Sequence, residues 1–361
     1  MENKRPTFVI LSPGFPENEA DTTCLPAQQV FVRSLNELYP GLNVIILSFN
    51  YPFFRASYTW YGNTVISFAG KDLGGRTRLL TWWRVWRQLR QLKRRHALVG
   101  LFSFWCTECA LVGKWFGKRH AIPHLCWILG QDAKKENKYV RWVRPAADDL
   151  IAMSEFLAAE FQKNHGIAPA HIVPNGIDPS LYERPPADRD IDILGAGSLI
   201  PLKNYELFVR IVRCLKDQIP DIRAVLCGSG PEEKRLRDLI GEYGLSDHLI
   251  LSGKKEHREV LKLMQRAKIF LHPSAYEGFS TVCLEALYAG AHVISSWSSR
   301  SGWIRHWYIA ANEEEILEQA LDILGDPDRE QTPVLPYRMI DSARAVMKLF
   351  GYPPHGPAEE Q

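Results

Sequence analysis

Two glutamates, Glu277 and Glu285, stand eight positions apart in the stretch PSAYEGFSTVCLEALYAGA, residues 273–291. Gly278 follows the first acid, and Ser280 and Thr281 add hydroxyls. An apolar strand, KIFLHPS, leads in and a helical run leads out, so the order is strand, glycine turn, helix start. The first turn of a helix carries unpaired N–H groups and the positive end of the dipole, which suits an anion. Gly278 lets a ligand approach the backbone. Glu285 falls about one and a half turns past Ser280. The pattern fits a ligand whose anionic centre touches the helix tip while its hydroxyl-bearing ends meet the two carboxylates. A nucleotide diphosphate sugar has that composition. An isolated acid pair of this spacing would more often be a helix-dipole partner and a solvated side chain, so the neighbouring sequence decides.

The elements that must position these acids are those of an α/β protein. With 361 residues, 46% hydrophobic and 24% charged, the chain suggests two globular domains. Thr7–Leu11 reads as a first strand, too short for a signal sequence. No run of 18 apolar residues is present, so no spanning helix is expected. That places the protein in the cytoplasm with its seven cysteines reduced. Cys106 and Cys109 have C-x-x-C spacing without a second pair, which favours packed thiols over a metal or redox site. The aromatic segment from Phe49 to Phe68 reads as a hairpin core, with an aromatic platform for a sugar or lipid as the alternative. A net charge of +3 does not mark a polyanion binder.

Residues 76–95 concentrate charge locally, with eight Arg or Lys and no acid. Leu79, Trp82, Trp83, Trp86 and Leu89 follow helical spacing on one face, with Arg84 and Arg87 largely on another. Trp82, Trp83, Arg84, Trp86 and Arg87 are therefore candidates for contact with an anionic membrane surface. The alternative is a domain helix packed through its Trp face on a sheet. No nucleic-acid motif accompanies the patch.

The whole stretch EGFSTVCLEALYAGAHVISS resembles the E-x7-E segment of retaining glycosyltransferases of family 4. NGID at 175–178 resembles that family's interdomain connector, and GSLIPLKN its G-R-L-x-x-x-K-G motif, with Ser198 in place of Arg. The resemblance implies a GT-B fold, two Rossmann-like doubly wound α/β domains facing an interdomain cleft. It implies an N-terminal acceptor-side domain over 1–178 and a donor-binding domain over 179–335. A helix over 336–350 would pack back on the first domain, and 351–361 would form a disordered tail. Gly195-Ala196-Gly197 is not a dinucleotide fingerprint, because the third glycine is missing and Pro201 interrupts the loop.

By resemblance, Glu277 holds the donor sugar, Glu285 the ribose, and Lys203 the diphosphate, with Gly197, Ser198, Asn204, Gly228, Lys254, Gly278, Phe279, Ser280 and Thr281 beside the donor. Gly14 is the one glycine of the loop after the first strand that stands where the family's cleft glycines do. The family's His-Gly-x-Asp strand end reads Leu129-Gly130-Gln131-Asp132 here, so Asp132 or Gln131 is left to take over part of the sugar contact. The region after Ser296 lacks the common Gly-Gly-x-x-Glu. No cofactor is implied beyond the co-substrate donor. No metal is implied either, since Asp188-Arg189-Asp190 and Asp326-Pro327-Asp328 fall in a linker and past a helix end. The implied reaction is transfer of a sugar, with retention, to a glycan or lipid-linked acceptor, in assembly of a bacterial surface polysaccharide or lipopolysaccharide, on the inner face of the membrane. A nucleotide-sugar epimerase and a non-catalytic scaffold on the same fold are the alternatives.

Overall fold

A computed structural model describes residues 5–183, 188–296 and 303–353. Residues 184–187, residues 297–302 and residues 354–361 of the expected tail lie outside the described residues. The chain divides into two compact units, one of Met1–Gly176 with Met339–Gln361, the other of Ile177–Arg338.

The first unit carries an eight-stranded sheet. Its strands are β1 (Pro6–Gly14), β2 (Asn43–Tyr51), β3 (Ala56–Trp60), β4 (Asn63–Ser67), β5 (Ala97–Phe104), β6 (His124–Ile128), β7 (Leu150–Ala152) and β8 (His171–Ile172). Their order is β3-β4-β2-β1-β5-β6-β7-β8, parallel except for the β3–β4 hairpin. Helices α1 (Pro26–Leu38), α2 (Gly75–Arg95), α3 (Glu108–His120), α4 (Tyr139–Val143) and α5 (Glu155–His165) connect them. The central strand β1 is apolar without alternation, and Phe8, Val9, Ile10 and Leu11 are fully buried, as a parallel sheet covered on both faces requires. The C-terminal helix, Met339–Leu349, belongs to this unit. Beyond it, Phe350 meets Phe8 edge-on at 5.0 Å. Gly100 makes room for that ring, since a Cβ there would lie 2.3 Å from it.

The hairpin β3–β4 puts Trp60 into the core against Phe15, while Phe53 and Phe54 are exposed. Cys106 and Cys109 are buried free thiols at the start of α3. Helix α2 corrects the single tryptophan face expected from spacing. Val85, Leu89 and Leu92 form its buried stripe, Trp86 packs on Phe116, and the Trp82 indole donates to Glu108 Oε2 at 2.9 Å. Leu79 and Trp83, by contrast, are 61% and 57% exposed.

The second unit has six parallel strands, β9 (Ile191–Ala196), β10 (Ala224–Cys227), β11 (Leu249–Gly253), β12 (Ala267–His272), β13 (His292–Ser295) and β14 (Trp307–Ile309), in the order β11-β10-β9-β12-β13-β14. Helices α6 (Tyr205–Lys216), α7 (Glu233–Glu242), α8 (His257–Arg266), α9 (Thr281–Tyr288) and α10 (Glu313–Leu324) cover it. Each sheet starts in its middle, builds outwards on one side, then returns to build the other. Strand order thus reverses between β1 and β5 and between β9 and β12, and ligands of doubly wound sheets bind outside the strand ends at such points. Two doubly wound α/β units are the fold class the sequence implied. Among the described residues no helix is long and apolar enough to cross a membrane.

Candidate active site

The β9/β12 reversal brings Lys203 and Glu277 together. After β9 the chain turns at Gly197, whose N–H donates to Cys227 O at 3.0 Å. The turn after β10 lies directly against it. A Cβ on Gly228 would sit 1.9 Å from Gly197 O, and both glycines have positive φ, so no side chain fits at this contact. Leu199 N–H then bonds Ser229 O at 2.9 Å, zipping the two loops together. A short turn, Pro201–Lys203, follows, and Asn204 in the left-handed region starts α6. The loop after β12 is tied to this turn. Ala275 N–H and the Ser274 hydroxyl donate to Leu202 O at 3.0 and 3.2 Å. Those bonds hold the two loops in register, so that Lys203 Nζ pairs with Glu277 Oε1.

His272, the last residue of β12, completes the cluster, its Nε2 lying 3.0 Å from the same Glu277 oxygen. Burial opposes ionisation of Glu277. The His272 hydrogen bond and the Lys203 ammonium outweigh it and hold the carboxyl at about 2. Burial also lowers the pKa of His272, against the pull of Glu277. His272 is therefore a neutral imidazole that donates through Nε2 to a carboxylate. The Tyr205 hydroxyl is fully buried beside Gly197, where a Cβ would lie 2.7 Å from it, and it has no protein partner.

Helix α9 starts at Thr281 with Ser280 as its N-cap, directly after Glu277, Gly278 and Phe279. Its Cys283, Leu284, Ala286 and Leu287 are buried, which fixes the helix tip beside the β12 loop. Gly290, with φ of 86°, ends the run where a Cβ would strike Arg189 and Gln331 O. Arg189 in turn donates to Ala267 O and Ala289 O at 2.6 and 2.7 Å. Glu285 points to α8, with Oε1 at 2.7 Å from His257 Nε2. Burial works against the charged form of His257, but the Glu285 carboxylate raises its pKa overall.

The remaining expected residues fall as follows. Gly278, Phe279, Ser280 and Thr281 lie at the α9 tip. Ser198 follows the Gly197 turn, and Lys254 is exposed past β11. Gly14 ends β1, and its carbonyl accepts from the Ser12 hydroxyl at 2.5 Å. Asp132 does not present a carboxylate for a sugar. It is 4% exposed, and its oxygens accept from the Cys106, Gly130 and Leu129 amides at 2.8, 2.9 and 3.1 Å. Burial pushes its pKa up to about 6 against those three donors. The neighbouring Gln131 is exposed. Sequence reasoning missed His272, His257 and Tyr205. The available signal for His272 was its place at the end of the strand five residues before Glu277.

The model for "Glycosyl transferases group 1" matches residues 183–308, and that for "Glycosyltransferase Family 4" matches residues 31–181. The chain is 26% identical over 204 residues to the phosphatidylinositol N-acetylglucosaminyltransferase gpi3 subunit of Schizosaccharomyces pombe, covering 55% of this chain and 45% of that protein. It is 27% identical over 206 residues to the putative colanic acid biosynthesis glycosyltransferase WcaL of Escherichia coli, covering 51% and 49%. The matches thus span about half the length of these curated relatives. Among solved structures, Anabaena HepE in complex with UDP and glucose superposes with a TM-score of 0.68 at 16% identity, over 95% of both chains.

Proposed function

The chain belongs to the group 1 glycosyltransferases of GT-B fold, and from that premise we propose a retaining, metal-independent transfer of a sugar from a nucleotide diphosphate sugar to a hydroxyl of a glycan or lipid-linked acceptor. The observation that carries this reading is the Lys203–Glu277–His272 cluster beside the tip of α9, at the strand reversal of the second unit.

The departing nucleoside diphosphate needs positive charge where its oxygens develop negative charge. Lys203 and the first-turn amides of α9 supply it from fixed positions. Without a ligand, Lys203 and Glu277 satisfy each other. On donor binding the diphosphate takes the ammonium, and Glu277, already ionised, accepts from sugar hydroxyls and sets the anomeric carbon in place. Glu285, anchored through Oε1 by His257, turns its other oxygen to the ribose hydroxyls. The leaving phosphate oxygen takes the acceptor proton on the face it departs from, so the anomeric configuration is kept.

The acceptor side rests on the first unit. The basic, Trp-bearing helix α2 favours an acceptor at an anionic membrane surface, on its cytoplasmic face. The similarity to WcaL favours a bacterial surface polysaccharide, and the similarity to the gpi3 subunit favours a lipid-linked acceptor.

Thermal unfolding with UDP, GDP, ADP and their sugar conjugates tests the donor half. One nucleotide is expected to raise the unfolding temperature, UDP being the first to try given the HepE complex. The rise should be lost in Glu285→Ala. A panel in which no nucleotide acts would move the chain to the scaffold class.

A further inference from the structure

A second cavity lies wholly in the first unit. Leu79 and Trp82 of α2, Leu111 and Trp115 of α3, and Trp142 of α4 wall a groove of about 730 Å3. The groove is open to solvent along one side, and its volume suits the chain of one ligand rather than a flat protein contact. Trp115 and Trp142 stand 53% and 46% exposed at its rim, and the exposed Leu79 and Trp83 continue the apolar surface along α2. Such a patch on a globular surface marks a binding face.

The charge around it is one-sided. Arg141 and Arg144 line the groove, and both are exposed. The neighbouring carboxylates are already engaged. Glu108 is buried and receives Trp82 Nε1 and Asn50 Nδ2 at 2.9 and 2.8 Å, with Arg78 Nε at 3.7 Å. Asp149 is paired with Lys114 at 2.5 Å. Glu108 therefore locks Trp82 and Arg78 into the wall, and the groove is preformed. An apolar trough with indole rims and two arginines without a carboxylate partner among the described residues matches an amphiphile that has a hydrocarbon chain and an anionic head.

We propose that the α2–α3–α4 groove takes the chain of an anionic lipid of a bilayer, with its phosphate on Arg141 and Arg144. This deepens the acceptor side of the proposed function and rests on that reading only for placing the enzyme at a membrane. It also moves the membrane-facing surface from Trp86, which packs on Phe116, to Trp83, Trp115 and Trp142, with Trp82 in the wall of the groove.

The test is sedimentation with vesicles of phosphatidylcholine alone and of phosphatidylcholine with one third phosphatidylglycerol, without nucleotide. The wild type should bind the anionic vesicles only. Trp115→Ser with Trp142→Ser should weaken binding by about tenfold or more. Arg141→Gln with Arg144→Gln should weaken it by roughly thirtyfold. All these variants should keep the nucleotide-induced rise in unfolding temperature, which separates failure of the groove from failure of the donor site. Vesicles of lipid brominated on its chains should quench the tryptophan fluorescence of the wild type, a measurement that needs no variant. Wild type that neither sediments nor is quenched, or variants that bind as the wild type does, would overturn the proposal. So would a wild-type dimer that dissociates on the Trp substitutions, because the groove would then belong to a second copy of the chain.

Discussion

Glu277 and Asp132 each lie just past the carboxyl end of a parallel strand, Glu277 after β12 beside the central strand of its sheet and Asp132 after β6, one strand further out in the other. Their environments differ in kind. Glu277 is held by two side chains, Lys203 of the loop after β9 and His272 at the end of β12. Asp132 is held by three backbone amides, two in its own turn and that of Cys106 in the loop after β5, and none can leave without dismantling its loop. The electrostatic outcome is opposite. Charged and hydrogen-bonding side chains bring Glu277 down to about 2, whereas burial brings Asp132 up to about 6. A carboxylate partnered by side chains is available for chemistry, and one partnered by its own backbone is a structural bolt.

Substitution at each position separates the two roles, and the larger effect belongs to Glu277. Glu277→Gln keeps the shape and the His272 hydrogen bond but loses the charge that, in the proposed function, positions the sugar. Its kcat is expected to fall about 10²- to 10³-fold, or ~3–4 kcal/mol of barrier, beyond the stability at neutral pH that goes with the Lys203 ion pair. Initial-rate kinetics with a saturating donor reads this directly. Loss of stability with retained turnover would place Glu277 with Asp132 and erase the contrast.

Asp132→Ala should do the reverse, costing about 2–3 kcal/mol of folding stability through unpaired buried amides while turnover per folded molecule survives. The pH dependence carries a sign that checks the assignment. Because the folded pKa of Asp132 is raised above the usual carboxylate value, the folded state binds the proton more tightly. Its contribution therefore improves as pH falls from about 6 towards 4. Glu277 has a depressed pKa, so its contribution is present above about 4.5 and is lost only as pH falls towards 2. Denaturant titrations of wild type and Asp132→Ala between pH 4 and 7 should differ least at pH 7, where the wild type holds the buried charge. A variant with unchanged stability but lost turnover would show that Asp132 touches the sugar after all.

The legible part of the molecule is the part written in short range. The strand, turn and helix around Glu277 follow one another between Ala267 and Tyr288, and their punctuation by Pro273, Gly278 and Gly290 is local chemistry. Lys203 was legible for the same reason, in its own short loop. What joins them was not, because the Leu202 carbonyl meets Ala275 and Ser274 more than 70 positions away. Asp132 was misread because type and position show an acid at a strand end but not whether backbone amides fold around it. Helix α2 failed through geometry. At about 100° per residue, Trp83 is rotated a quarter-turn from Trp82, away from the Val85–Leu89–Leu92 stripe. Five apolar residues at roughly helical spacing made a face wider than the sheet could cover.

His257 offers the finest test of the contrast, because it is a side-chain partner for the second acid of the pair. It reaches Glu285 from the first turn of α8, 28 positions upstream, and fixes one carboxylate oxygen, which in the proposed function leaves the other for the donor. His257→Ala should raise the donor KM about fivefold, or ~1 kcal/mol, with kcat nearly unchanged. The pKa of His257 is raised by Glu285, so the charged pair is fully present below the ordinary histidine value and is lost as pH rises through the raised one. The KM difference between variant and wild type should therefore be largest near pH 6 and narrow towards pH 9, where a neutral imidazole still donates but no longer attracts. A pH-independent difference would mean that the hydrogen bond alone orients Glu285. A fall in kcat at constant KM would mean that the pair acts on the transition state, and Glu285 would then share the role proposed for Glu277 rather than hold the donor.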